Sequence, residues 1–192
     1  MGIDIRSGVD VARIVDAITR VRPNARLTRI VAIDGYGGSG KSELADRVAN
    51  TLDGAVVVRT DDFARPNVSG WEWERMRAQV LEPLQSDRTG RYQRYDWATD
   101  KPAEWHDVAV GGTLIIEGVS SLREELGRYW DLAIWLDCPY VVRLERGVAR
   151  DGEAMRSRWT DVWIPEEDEY VRAQRPYMKA DLIIDGTTPF KV

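Results

Sequence analysis

The sequence predicts an α/β fold in three layers, with a parallel sheet covered on both faces by helices. Short apolar runs alternate with helix-like segments along the 192 residues, and strands that are apolar throughout belong to sheets buried on both sides. A glycine-rich loop, Gly35 to Ser42, joins one such run to a stretch of helix formers, the strand–loop–helix unit of an open α/β sheet. Acidic residues also recur just after the apolar runs, at the strand ends where such sheets bind ligands.

Along the chain, Val11, Ile14, Val15, Ile18 and Val21 share one face of a helix over residues 9–22. Leu27 to Asp34 reads as the first strand. Leu44, Val48 and Leu52 line a helix that ends near Asp53-Gly54. Residues 55–58 form the second strand, 114–116 the third, 132–136 the fourth and 182–184 the fifth. Residues 72–84 read as helix, as do roughly 121–128, 139–151 and 166–179. Residues 85–107 read as polar and irregular. No linker, repeat or low-complexity tract divides the chain, so residues 1–192 are expected to form one domain, with 1–26 as a helical extension.

Composition excludes several classes. A net charge of −5 argues against a general nucleic-acid or membrane surface. No apolar run approaches the length of a membrane span and no leader pattern opens the chain, which predicts a cytoplasmic protein. Cys138 is the only cysteine and His106 the only histidine, so an intramolecular disulfide and multi-Cys or paired-His metal sites are excluded. Cys138 reads as a buried strand end and His106 as a surface residue.

The loop Gly35-Tyr36-Gly37-Gly38-Ser39-Gly40-Lys41-Ser42 fits G-x-x-x-x-G-K-[ST], the phosphate-binding P-loop. Its N–H groups and the following helix N-terminus would hold phosphate oxygens; Lys41 would reach the β- and γ-phosphates and Ser42 would bind Mg²⁺. The same residues contain G-x-G-x-x-G, and Asp61 lies 21 residues beyond Gly40, as in a dinucleotide site. Lys41-Ser42 has no use in a dinucleotide turn and decides for the P-loop.

Phosphoryl transfer further needs a metal site and a group that receives the acceptor's proton. Glu117, after the third strand, stands where an acidic metal-holding residue would; a helix-capping carboxylate is its structural alternative. Asp61 is the candidate base, whereas Asp62 suits a backbone cap. Lys41, Asp61 and Glu117 are thus the catalytic candidates. Arg143, Arg146 and Arg150 share one helix face, followed by Arg156 and Arg158. They form either a solvated basic face or, over residues 140–160, an arginine lid on the ATP phosphates. Of the eight tryptophans, Trp130, Trp135 and Trp159 read as packing; Trp71, Trp73 and Trp97 are placed to stack on a ring, with packing as the default.

Beyond the loop, Thr60-Asp61-Asp62-Phe63, Tyr95-Asp96-Trp97, Ile115-Ile116-Glu117-Gly118 and Val142-Arg143-Leu144-x-Arg146-x-x-x-Arg150-Asp151 occur in an order and spacing that resembles the uridine kinase-like P-loop kinases. That group includes uridine/cytidine, nicotinamide riboside and pantothenate kinases and phosphoribulokinase, and the resemblance runs from about Ile30 to Gly186. It implies a nucleoside-kinase-like P-loop NTPase fold with five parallel strands in the order 2-3-1-4-5. It also implies an ATP- and Mg²⁺-dependent phosphotransferase acting on an alcohol group of a nucleoside-like acceptor. Asp61 matches the catalytic base, Glu117 an acid near metal and acceptor, and Arg146 and Arg150 the start of the ATP lid. Trp71-Glu72 resembles a ribose-binding aromatic–acid pair, and Tyr95-Asp96 lies in the element near the nucleobase. Asp100 and Pro102 stand where uridine kinases carry His and Arg, which argues against uridine itself. Trp163-Ile164-Pro165 with Tyr170 resembles a stretch of nicotinamide riboside kinases. A regulatory ATP-binding or ATP-hydrolysing protein without a small-molecule acceptor is the alternative; no Asn-Lys-x-Asp guanine motif occurs. Whether the chain pairs as a homodimer is left open.

Overall fold

The strand that leads into the glycine-rich loop, β2 (Arg29–Gly35), lies inside a parallel sheet and is buried along almost its whole length. A computed structural model describes residues 3–5, 10–65, 68, 70–97 and 99–191. Around β2, the sheet contains β1 (Ile3–Ile5), β3 (Val56–Arg59), β6 (Thr113–Glu117), β7 (Leu132–Asp137) and β8 (Leu182–Asp185), ordered β1-β8-β7-β2-β6-β3. All five pairings are parallel. The five expected strands therefore occur in the expected order. Strand β1 adds a sixth at the edge, where Ile3 pairs with Leu182, which corrects the reading of residues 1–26 as wholly helical. Residues 1–2 and 6–9 of that extension lie outside the described residues.

Alternation along β2 divides the core. Val31 and Ile33 face α1 (Val11–Arg20) and α2 (Lys41–Thr51), together with Ile14, Ile18, Leu44, Val48, Leu136 and Ile184. Ile30 faces the opposite layer, with Phe63, Met76, Val80 and Leu84, and Ala32 packs there with Trp135 and Val171. Helix α1 starts where the Asp10 carboxylate accepts from the Ala12 N–H at 2.9 Å, a side-chain cap for an otherwise free donor. Its Val11, Ile14 and Ile18 are buried, as a one-sided apolar helix requires.

The segment read as irregular is instead an antiparallel hairpin, β4 (Gly90–Asp96) and β5 (Lys101–Val108). Strand β5 is mostly exposed and carries a proline, so it lacks the alternation that marks a half-buried strand. Cross-strand pairs Arg94–Glu104 and Arg91–Asp107 become visible only once the register is known. The helix expected over 72–84 runs from α3 (Trp73–Met76) through a π-helical turn (Arg77–Leu81) into α4 (Glu82–Gln85). A second π turn (Trp159–Trp163) lies between α6 (Arg156–Arg158) and α7 (Ile164–Gln174). Each π turn precedes a proline, Pro83 or Pro165. A proline ring clashes with the carbonyl four residues back, and widening the turn relieves that clash. Helix α5 (Tyr140–Asp151) matches expectation, whereas residues 124–129 form a 3₁₀ helix. Residues 166–179 split where Arg175 turns left-handed ahead of Pro176.

At the amino-terminal ends of the strands a buried clamp joins separate segments. The Arg26 guanidinium donates to Asp131 at 2.5 Å and to the Tyr129 and Thr28 carbonyls at 2.7 and 3.0 Å. Asp131 in turn accepts from the Ile30 and Asn24 N–H groups. Among the described residues no helix is long and apolar enough to cross a membrane.

Candidate active site

The phosphate-type loop leaves β2 at Gly35 and enters α2 through Gly40, which caps the helix in a left-handed conformation (φ 96°) that glycine adopts without strain. Lys41 is buried, and its ammonium donates to the Tyr36 carbonyl at 2.8 Å. One residue on, the Ser42 hydroxyl donates to Glu117 Oε1 at 3.2 Å. The register of three strands makes this meeting: Glu117 ends β6, opposite Ile33 of β2 and Arg59 of β3. Glu117 is 4% exposed. Burial pushes its carboxyl up from the ordinary value, Asp61 adds like charge, and Lys41 and Arg59 oppose the rise.

Asp61 follows β3 in the 3₁₀ turn Thr60–Phe63 and is exposed to the same cavity as Glu117. Asp62 turns away. Its carboxylate accepts from the Tyr92 hydroxyl at 2.9 Å on β4, so it anchors the hairpin where a backbone cap was expected. The cavity has a volume of about 1030 Å³ and runs from the loop, past Asp61 and Glu117, to Trp71, Trp163 and Tyr170.

Helix α5 brings its arginines to the loop in different ways. Arg143 is 4% exposed, lies 4.0 Å from the Tyr36 ring centroid, and donates to Glu167 and Asp168 at 3.1 and 2.6 Å. Arg143 therefore does not belong to a solvated basic face, whereas Arg146 and Arg150 are exposed. Arg146 donates to the Gly186 and Thr187 carbonyls at 2.6 and 3.2 Å. Arg150 holds Asp151 through two bonds at 2.7 and 3.0 Å. Both line the cavity, as does Arg158, while Arg156 pairs with Glu153.

Glu72, Tyr95 and Asp96 are not among the residues lining the cavity. Glu72 is held between Arg65 and Arg75, each at 2.8 Å. The Tyr95 hydroxyl donates to Asp100, which pushes its pKa up to about 12. Asp96 accepts from the Thr99 hydroxyl at 2.9 Å. Beside them Trp97 is 55% exposed and donates to the Asp61 carbonyl at 3.3 Å. Trp71 lines the cavity and donates to the Ser120 hydroxyl at 2.8 Å. Trp135 and Trp159 are buried, as their reading as packing residues required, and so is Cys138. His106 is half-buried, stacked on Tyr92 and 3.1 Å from Glu104.

Sequence reading missed Glu167 and the bonds that Asp34 and Tyr170 make. Asp34, fully buried at the end of β2, accepts from the Gly35, Ser120 and Leu122 N–H groups at 2.6, 2.9 and 2.9 Å and from the Tyr170 hydroxyl at 2.6 Å. It thereby ties the loop, the segment after Glu117 and α7 together. Glu167 accepts from the Gly37 N–H of the loop at 3.0 Å. Glu167 sits in an acidic run of α7 that gave no signal of contact with the loop, and Tyr170, singled out only by resemblance, gave none of its bond to Asp34.

A family model described as AAA domain matches residues 31–175. The chain belongs to the AAA domain family. This AAA-domain chain is 25% identical over 179 residues to a uridine kinase of Borrelia turicatae, covering 82% of its own length and 86% of that protein. Uridine kinases of Borrelia duttonii and Borrelia hermsii match at 25% and 24%. Among solved structures, a possible uridine kinase from Bacillus stearothermophilus superposes with a TM-score of 0.70 at 21% identity, covering 91% of this chain and 97% of that one. A candidate fructose transport system kinase from Silicibacter sp. TM1040 gives 0.75 at 22%, covering 92% and 99%. The AAA-domain chain thus has the P-loop kinase fold and resembles the uridine kinase-like group.

The donors of the AAA-domain site fit the ligands such a fold takes. Lys41 and the N–H groups entering α2 suit an anion. The Ser42 hydroxyl and Glu117 carboxylate are hard oxygen donors of the kind Mg²⁺ prefers.

Proposed function

We propose that this protein is an ATP-dependent kinase that transfers the γ-phosphoryl group to a hydroxyl of a small nucleoside-like or ribosyl acceptor. One observation carries the reading. Lys41 and Ser42, Glu117, and Asp61 come from three separate chain segments and line one cavity at the carboxyl ends of β2, β3 and β6. A site that only held nucleotide would need the first two, whereas Asp61, exposed beside Glu117, suits an acceptor.

In this reading the loop N–H groups and Lys41 hold the ATP phosphates. Ser42 and Glu117 hold Mg²⁺, which when bound neutralises charge on the transferring group. Asp61 orients the acceptor hydroxyl and takes its proton as the new P–O bond forms. The bond from γ-phosphorus to the bridging oxygen breaks, leaving ADP and a phosphate monoester. Arg146 and Arg150 turn from the Gly186 carbonyl and Asp151 to the phosphates, within a lid over residues 140–160. Glu72, Tyr95 and Asp96 support the acceptor side, linked to Asp61 through the neighbouring Trp97. Uridine is disfavoured, since Asp100 is bonded to Tyr95 and Pro102 offers no N–H donor.

The test is ADP release from ATP and Mg²⁺ across ribonucleosides, nicotinamide riboside, pantothenate and small sugars. Acceptor-dependent turnover that falls at least about 100-fold in Asp61→Asn, with ATP affinity retained, is expected. Slow turnover that ignores every acceptor would favour a regulatory nucleotide-binding protein instead.

A further inference from the structure

The loop that is read above as holding phosphates already holds an anion. Glu167, on α7, is 8% exposed, and its Oε2 accepts from the Gly37 N–H at 3.0 Å and from Arg143 at 3.1 Å. Burial pushes this carboxyl's pKa up, and Lys41 leads the charges and hydrogen bonds that oppose the rise. The approach is close enough to dictate residue 37. A Cβ there would lie 2.6 Å from Glu167 Oε1 and 2.8 Å from the Trp159 ring. Glycine at this position therefore serves the contact with α7 as well as the loop's own curvature.

We infer that Glu167 is a resident anion of the phosphate loop, which an arriving nucleotide must displace before the Gly37 N–H is free to bind it. The inference rests on the reading of the loop as a nucleotide site. Both ligands of that N–H are anions, so they cannot share it: like charges in a buried site repel, and one donor has one best partner.

Displacement would not stay local. Tyr170, one turn beyond Glu167, is bonded to Asp34 at 2.6 Å and fixes α7 at that point. On the other side of Glu167, Trp163 and Trp159 line the same cavity. Trp159 also donates to Asp151 at 3.0 Å, the carboxylate that holds Arg150. Movement of Glu167 away from Gly37 therefore pulls on the segment that keeps Arg150 turned from the loop. Nucleotide arrival, release of Arg150 and reshaping of the acceptor wall become one event, with the Tyr170–Asp34 bond as its fulcrum.

The experiment is calorimetric titration of ATP with Mg²⁺ into the wild-type chain, Glu167→Gln and Glu167→Asp. Neutralising the carboxylate removes a charged competitor, so Glu167→Gln is expected to bind ATP about tenfold tighter. Glu167→Asp, which withdraws the carboxylate from Gly37 but keeps charge near Arg143, is expected to bind more tightly by a smaller factor. Amide hydrogen exchange over residues 159–170 should change when ATP binds the wild-type chain, and nucleotide-free Glu167→Gln should already exchange like that complex. If Glu167→Gln loses thermal stability, Glu167→Asp decides the matter. Wild-type binding with variants that bind equally or more weakly overturns the inference alone. Failure of all three chains to bind ATP overturns the nucleotide-site reading and this inference with it.

Discussion

Glu117 shows what one buried carboxylate does for a site and against a fold. It sits among strands with Ser42 and Lys41 close by, and burial raises its pKa above the ordinary 4.5. A raised folded-state value means the native chain prefers the protonated form. The stabilisation from that preference is full below about pH 4.5 and is lost as pH rises through the folded value. Glu117→Gln keeps an acceptor for Ser42 and does not titrate. In metal-free buffer it should melt above the wild-type chain at pH 7–8 and converge with it towards pH 4.5, while losing affinity for Mg²⁺. A variant that melts below wild type at neutral pH would refute this. Residues 35–42 were legible in sequence because the loop's chemistry is contiguous. Asp34 could be placed at the strand end, but its role as a buried tie could not, since three of its four donors, in Ser120, Leu122 and Tyr170, come from 86 to 136 positions away.

At the scale of elements, the β4–β5 hairpin is the part the sequence concealed. It docks through Tyr92, which stacks on Phe63 at 4.9 Å and donates to Asp62. That bond binds the hairpin to the turn carrying Asp61. Tyr92→Phe keeps the stacking and leaves the Asp62 carboxylate without its phenolic donor, at a cost of about 1–3 kcal/mol. Thermal melts should record that loss, and turnover should fall because the hairpin no longer steadies the turn; unchanged melting would mean that water fully replaces the hydroxyl. The central apolar strands were readable from their own residues, because β2, β6 and β7 are buried on both faces. A hairpin with one polar strand depends on its partner and on the surface beneath it, and neither is written locally. The two π turns were equally hidden, although Pro83 and Pro165 mark where they occur.

Across the whole molecule, the sheet separates stability from chemistry. Helix α1 packs Val11, Ile14 and Ile18 against α2 and the strands, and none of the three lines the cavity. Deleting buried methyl groups from an isoleucine costs about 2–5 kcal/mol, against a total stability of about 5–15 kcal/mol. The double substitution Ile14→Ala with Ile18→Ala should therefore lower the melting temperature steeply or abolish cooperative unfolding, as calorimetry would record. An unchanged transition would mean that α1 is not part of the cooperative unit. The amphipathic spacing of this helix was plain in sequence; that it covers the sheet and not the site was not, because nothing local says which face it meets.

The Arg26–Asp131 clamp closes the opposite end of the same sheet, a strand's length from the phosphate loop. Its loss would strand a buried charge, so variants there would unfold more often and be cleared by proteases sooner. An organism carrying one would hold fewer copies of a protein whose individual molecules keep their site intact. Such a defect would register as a shortage of protein and leave catalytic constants untouched.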